Sequence, residues 1–209
     1  MIFNKILCLG AHPDDEFGCS GTLSKFLEEE KEVYYAVFSF CEESVPKGFP
    51  SDILKKEFKS ACKNLGIKEE NLFIYDFKVR YFPRDRQAIL EELVKLRNQI
   101  QPDLVLLPAL SDIHQDHSVI AREGLRAFKY SSVFGYELPM NTISFQHACF
   151  IKLEERHIQK KIGDLMCYKS QLFRAYANED FLRSLAKVRG VQINEEYAEA
   201  FEVIRLKIT

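Results

Sequence analysis

The chain of 209 residues contains no tryptophan, only 9 glycines and 7 prolines, and no apolar run near the ~18 residues that span a bilayer. Insertion into a membrane is therefore not expected. The opening MIFNKILCLG is too short for the apolar region of a signal peptide and lacks a small-residue cleavage site, so a cytoplasmic location is expected. Charge of one sign is also missing: 29 Lys and Arg stand against 31 Asp and Glu, for a net charge of −2. Such a balance offers no basic field to a nucleic acid polymer or an anionic membrane, which favours small-molecule partners. No CxxC or CxH pairing joins the 6 cysteines, Cys8, Cys19, Cys41, Cys62, Cys149 and Cys167. Several fall in apolar periodic segments, and all are expected to be reduced residues of the core. No Pro/Gly/Ser-rich linker, repeat or low-complexity tract divides the chain, so residues 1–209 are expected to form one domain.

What is present is a chain that can build a sizeable core, with 46% hydrophobic and 29% charged residues. Short apolar runs alternate with amphipathic stretches, the pattern of a parallel sheet covered by helices. Strands are predicted at Ile6–Leu9, Val33–Ser39, Leu72–Tyr75 and Leu104–Pro108. Helices are predicted at Gly21–Glu30, at Ser51–Leu65 with Gly66 as its stop, and at Asp85–Gln101. The last carries an apolar stripe of Ile89, Leu90, Leu93, Leu96 and Ile100, and Pro102 ends it. Another helix follows the polar loop after Pro108. Beyond residue 130 the pattern changes to strands, a helix over Glu154–Cys167, and a tail with a helix and a closing strand.

Two of the predicted strands run into clusters of polar residues. AHPDDEFG (11–18) follows the first, and SDIHQDH (111–117) follows Leu104–Pro108. Ligands of an open parallel sheet bind beyond the carboxyl ends of its strands, so the two clusters can meet in space. His12 and Asp15 at i, i+3 spacing, with His117, supply two imidazoles and a carboxylate. That set suits Zn²⁺ with a position left for water; Fe²⁺ accepts the same ligands. Asp14 is then free to take a proton from water and return it to a leaving amine. His114 is suited to face a carbonyl where negative charge develops, and Asp116 to orient a metal-bound imidazole, with Glu16 in a similar supporting position. Taken alone, HPDD is satisfied by a capped turn and HQDH by the start of a solvated helix. Their occurrence at two ends of the same predicted sheet edge favours the metal site. His147, read as a strand residue, and His157, read as a surface helix residue, are assigned no chemistry.

These motifs resemble those of the PIG-L/LmbE-like metal-dependent N-deacetylases: AHPDDE at Ala11–Glu16 and HxDH at His114–His117, preceded by Asp112. The likeness extends through Glu57, Ala61, Leu65 and Gly66, QPDLVLLP at 101–108, YELP at 136–139, YKSQ at 168–171 and YAEAFEV at 197–203. It implies a Rossmann-like, doubly wound α/β fold, mostly parallel, with helices on both faces. It also implies Zn²⁺-dependent hydrolysis of an N-acyl group, usually the acetyl of an amino sugar. Carried over by position, His12, Asp15 and His117 are metal ligands, Asp14 the general base and acid, and His114 the group that stabilises the oxyanion.

The chain departs from the family in two places. SFCEES at 39–44 has no glycine where many members carry a Gly-Glu pair, leaving Glu42 or Glu43 for that place near the substrate. Asp112 stands where some members have tyrosine, and is expected to support the loop or the metal's surroundings. Arg80, Arg84 and Arg86 read as loop cations, of which Arg80 is best placed to reach a sugar hydroxyl, phosphate or nucleotide diphosphate. Lys169, Ser170 and Gln171 are further substrate contacts by resemblance. The expected substrate is an N-acyl amino sugar or sugar nucleotide. Cleavage of another sugar amide, or binding of metal or sugar nucleotide without catalysis, are the alternatives. Composition is compatible with a monomer or a homo-oligomer.

Overall fold

The computed structural model describes residues 3–208. Its strands are β1 (Lys5–Gly10), β2 (Glu32–Val37), β3 (Leu72–Ile74), β4 (Leu104–Pro108), β5 (Ser132–Tyr136), β6 (Cys149–Leu153) and β7 (Tyr197–Arg205). Its helices are α1 (Ser20–Glu28), α2 (Ile53–Leu65), α3 (Phe82–Ile100), α4 (Gln115–Ala127), α5 (Glu155–Leu165) and α6 (Glu179–Val191). All seven strands form one sheet in the order β3-β2-β1-β4-β5-β7-β6. The first five pair in parallel, while β7 runs antiparallel to both β5 and β6.

Period-two alternation sends successive side chains to two separate cores, as a sheet covered on both faces requires. Ile6, Cys8, Leu104 and Leu106 pack on one side with α1, α2, α5 and α6. Leu7, Leu9, Val105 and Leu107 pack on the other with α3 and α4. The expected doubly wound α/β architecture is what the chain adopts. From β1 the strand order runs one way to β2 and β3 and the other way to β4 and β5. The crevice between the carboxyl ends of β1 and β4 is therefore the switch point, the place where such sheets bind ligands.

The structure corrects several local expectations. Helix α3 begins at Phe82 rather than Asp85, because Pro83 fits the first helical turn, where its missing N–H has no partner to lose. Arg84 and Arg86 consequently belong to α3, paired with Asp85 and Glu123, and are not loop cations. His147 precedes β6 instead of lying in a strand, 3.7 Å from Glu137. His157 is on a helix as expected but is buried, because it closes a capping box with Glu154 and bonds Glu28 at 2.6 Å. All 6 cysteines are free thiols, four of them buried. No described helix is long and apolar enough to cross a membrane.

The face covered by α1 and α5 contains buried charge. Glu199 on β7 accepts the Gly21 and Thr22 amides at the start of α1 and pairs with Lys161. Asp164, on α5 beside Ser20, is fully buried, and neither carboxyl oxygen has a well-formed partner. Burial pushes its carboxyl up to about 7, against the opposing pull of Ser20 and Lys161. An unfolded aspartate titrates near ~3.9, so the native state holds the extra proton between these values. Stability is therefore lost as pH rises from about 4 through 7. Asp164→Asn removes that loss: its melting temperature should exceed the wild type's by roughly 5 °C at pH 8 and match it near pH 4. Equal shifts at both pH values would count against a proton held at Asp164.

Candidate active site

The end of β1 turns sharply into the first cluster. A Cβ at Gly10 would lie 2.6 Å from the Tyr35 hydroxyl and 3.0 Å from the His12 carbonyl, so only glycine lets the chain pass there. The next residues form a short turn, Asp15–Gly18, before α1. The second cluster follows β4, with His114 as the N-cap of α4.

Because β1 and β4 are neighbours, the clusters meet. His117 Nε2 lies 3.0 Å from His12 Nδ1 and 3.2 Å from Asp15 Oδ1, and His12 Nδ1 lies 3.6 Å from Asp15 Oδ1. Ligands at ~2.0–2.2 Å around a tetrahedral cation would stand roughly 3.3 Å apart, close to these separations. The opposite ring nitrogens are engaged with carboxylates: His12 Nε2 with Asp116 Oδ2 at 3.2 Å, and His117 Nδ1 with Asp112 Oδ2 at 2.8 Å. Carboxylates only accept, so those nitrogens carry the hydrogens of the neutral rings. With both rings neutral, His12 Nδ1 and His117 Nε2 are lone pairs that converge with an Asp15 oxygen, an arrangement that needs a cation between them, either a proton on His117 or a metal ion. The donor set fits a divalent metal, and its supporting carboxylates are those that orient imidazole ligands.

The electrostatics agree. Burial alone would raise the Asp15 carboxyl, but His117 and His12 outweigh it and hold it well below the usual range. Burial would lower His117, yet Asp15 and Asp112 raise it to about 10. This point in the protein favours positive charge.

His114 lies with His12 and His117 in a group of imidazoles whose ligand atoms fall within 4.8 Å of one another. Its tautomer separates it from them. His114 Nδ1 accepts the Asp116 N–H at 3.2 Å, which leaves the hydrogen on Nε2 and makes that atom a donor. Burial, then the neighbouring His12 and His117, lower it to about 4, so the ring is neutral at pH 7.

A cavity of about 210 Å³ opens over these residues, lined among others by Asp14, Asp15, Cys41, Ser44, Arg80, His114, Gln171, Arg174 and Tyr176. Burial and then Asp15 push the Asp14 carboxyl above its ordinary value. Arg80 lines the cavity as expected, in a left-handed backbone conformation with φ of 70°. Its N–H bonds Asp116 Oδ2 at 2.6 Å, and its guanidinium bonds Ser44. The carboxylate that orients His12 thus also pins Arg80. Gln171 is buried in the lining and accepts from Arg174 Nε at 2.8 Å.

Two expected substrate contacts fall outside the lining. Glu42 is exposed, because the left-handed turn at Cys41 sends it outward and brings Ser44 inward. Lys169 opens the tight turn Lys169–Gln171, which buries Ser170 and Gln171 and leaves Lys169 in solvent. Glu16 lies behind the loop, bonded to the hydroxyls of Tyr35 and Tyr168 at 3.0 and 2.6 Å. Sequence reasoning missed Tyr176, Arg174 and the role of Glu57, which holds Ser170 through both oxygens. No local pattern announces them. A larger depression of about 370 Å³, lined by Arg97, Asp103, Tyr130 and Lys207 among others, lies at the amino ends of the strands and contains none of these groups.

The family model described as PIG-L, GlcNAc-PI de-N-acetylase, matches residues 7–128, which hold both motifs. The chain belongs to this family. A PIG-L protein is a deacetylase of the hydrolase class, and the family is metal-dependent. A relative from Escherichia coli (strain K12), Uncharacterized deacetylase YaiS, is 29% identical over 173 residues, 79% of this chain and 90% of its own. Among solved structures, the N,N'-diacetylchitobiose deacetylase of Pyrococcus horikoshii aligns with TM-score 0.78 and 19% identity, covering 97% of this chain and 84% of that one. The 4-carboxy-2-hydroxymuconate hydratase GalB of Pseudomonas putida KT2440 aligns with TM-score 0.79 and 20% identity over 98% of both chains. At these identities the two structures establish the fold, and their substrates are their own.

Proposed function

We propose that this PIG-L protein removes the N-acetyl group of an amino sugar or sugar conjugate, a nucleotide-linked sugar included, with Zn²⁺ or Fe²⁺ held by His12, Asp15 and His117. The observation that carries the reading is the convergence of two imidazole lone pairs and the Asp15 oxygen, 3.0 to 3.6 Å apart, on the cavity that Asp14 and His114 also line. A divalent cation there supplies positive charge that acidifies water and polarises an amide carbonyl.

The chain's own groups do the rest. Asp14 takes a proton from the attacking water as its oxygen bonds to the acetamide carbon. His114, neutral and protonated on Nε2, donates to the carbonyl oxygen as that atom becomes negative. Asp14 then gives its proton to the nitrogen as the C–N bond breaks, releasing acetate and an amine. Asp112 and Asp116 keep the two imidazoles in the required tautomers. Arg80 and Gln171 are the substrate contacts; Arg80, like the neighbouring Arg174, has no carboxylate partner among the described residues.

The test is metal content by elemental analysis, joined to acetate release from N-acetyl amino sugars and their nucleotide diphosphates. About one Zn²⁺ or Fe²⁺ per chain is expected, with release abolished by chelation and restored by the metal. Release indifferent to chelation would overturn the metal. A chain that binds the metal and releases no acetate would favour another amide, water addition or binding alone.

A further inference from the structure

Tyr176 belongs to none of the motifs, yet its hydroxyl bonds the Asp14 carboxylate. It lies in the segment between the Lys169–Gln171 turn and α6. Leu172 and Phe173 of that segment are 41% and 70% exposed, whereas Tyr176 turns into the cavity. Its ring stacks parallel on Phe17, with centroids 5.1 Å apart and planes 9° apart. Phe17 is itself buried, in the short turn that begins at Asp15. The stack carries the phenol to a fixed point, and its hydroxyl donates to Asp14 Oδ2 at 3.1 Å.

A terminal carboxylate rotates freely about its last torsion, because that torsion has broad, shallow wells. One directed hydrogen bond to one oxygen removes the freedom and fixes where the other oxygen lies. Among the described residues, Asp14 Oδ1 has no side-chain hydrogen-bond partner and remains available to water. The stacking contact alone would need no hydroxyl, since phenylalanine stacks on Phe17 equally well. The polar atom is explained by what it bonds.

We infer that Tyr176 is a positioning residue for the deacetylation, holding the Asp14 carboxylate in the orientation that accepts the proton of the attacking water. The inference rests on the role proposed above for Asp14. Misplacing a catalytic group by about 1 Å costs up to ~100-fold in rate. Tyr176→Phe, which keeps the ring, should lower kcat roughly 10- to 100-fold, with KM within about twofold and metal content unchanged.

Tyr176→Leu, which loses ring and hydroxyl, separates packing from positioning. Normal turnover in Tyr176→Phe with a loss confined to Tyr176→Leu would overturn the inference. So would a further loss on adding Tyr176→Phe to Asp14→Asn, because a residue acting through Asp14 has nothing left to position there. Full turnover by Asp14→Asn would instead remove the base assignment, and this inference with it. An inactive Asp14→Asn beside a fully active Tyr176→Phe would remove only this inference.

Discussion

Asp14→Asn is expected to lower turnover by roughly 10²- to 10⁴-fold while the protein keeps its metal, its fold and its affinity for substrate. The substitution is nearly isosteric. An amide oxygen can still accept from the Tyr176 hydroxyl, so the aromatic stack and the loop stay in place. His12, Asp15 and His117 are untouched, and so are the carboxylates that orient the two rings. What disappears is the only feature the neutral amide cannot imitate, a basic oxygen beside the converging ligands. The measurement is kcat for acetate release together with metal content and a melting curve. A variant that loses its metal would show that Asp14 takes part in holding the ion. One that turns over normally would show that the proton goes elsewhere.

Much of the site was legible because each cluster sits at the end of an apolar run. Strand ends of a parallel sheet share one edge, and His12 and His117, 105 residues apart, meet there because β1 and β4 are neighbours. The first four strands and the helices between them obey local periodicity, so a parallel sheet with two covered faces could be foreseen, while β5 fell in the stretch read only as further strands. The antiparallel seam of β7 between β5 and β6 could not, since strand pairing is decided by long-range packing rather than by composition. The same limit hid Tyr176. A tyrosine in RAYANED carries no mark until the tertiary fold sets its ring on Phe17 and its hydroxyl on Asp14. His157 misled for a related reason: its charged neighbours suggest solvent, but cap geometry and Glu28 draw it inside.

The supporting carboxylates show how the parts depend on one another. Asp112 bonds the His117 ring through one oxygen and the His114 backbone N–H through the other, both at 2.8 Å. Asp116 holds the His12 ring and the Arg80 N–H through one oxygen, while its own N–H donates to His114. One short stretch at the start of α4 therefore orients the His12 and His117 rings proposed as metal ligands, the neutral His114 and the Arg80 arm at the cavity wall. The left-handed Arg80 backbone is retained because Asp116 fixes it, in keeping with strain held at a working site.

His117→Ala is expected to bring metal content from about one ion per chain to near zero and to reduce acetate release to background. Two ligands remain, too few for a stable tetrahedral site. The loss also reaches beyond binding. His117 stands between Asp15 and Asp112, 3.2 Å from one and 2.8 Å from the other, and its removal leaves two buried carboxylates without the group they share. Like charges left facing each other in a low dielectric raise the free energy of the folded state. Melting curves with and without added Zn²⁺ separate the two effects. The wild type should gain stability as Zn²⁺ is raised above its dissociation constant, by about 2.7 kcal/mol at a hundredfold excess over that constant. The variant should melt lower than the wild type in chelator and gain nothing from the ion. A variant stabilised by Zn²⁺ as much as the wild type would place the cation on other ligands, with His114 the first to examine, since its imidazole lies in the same group.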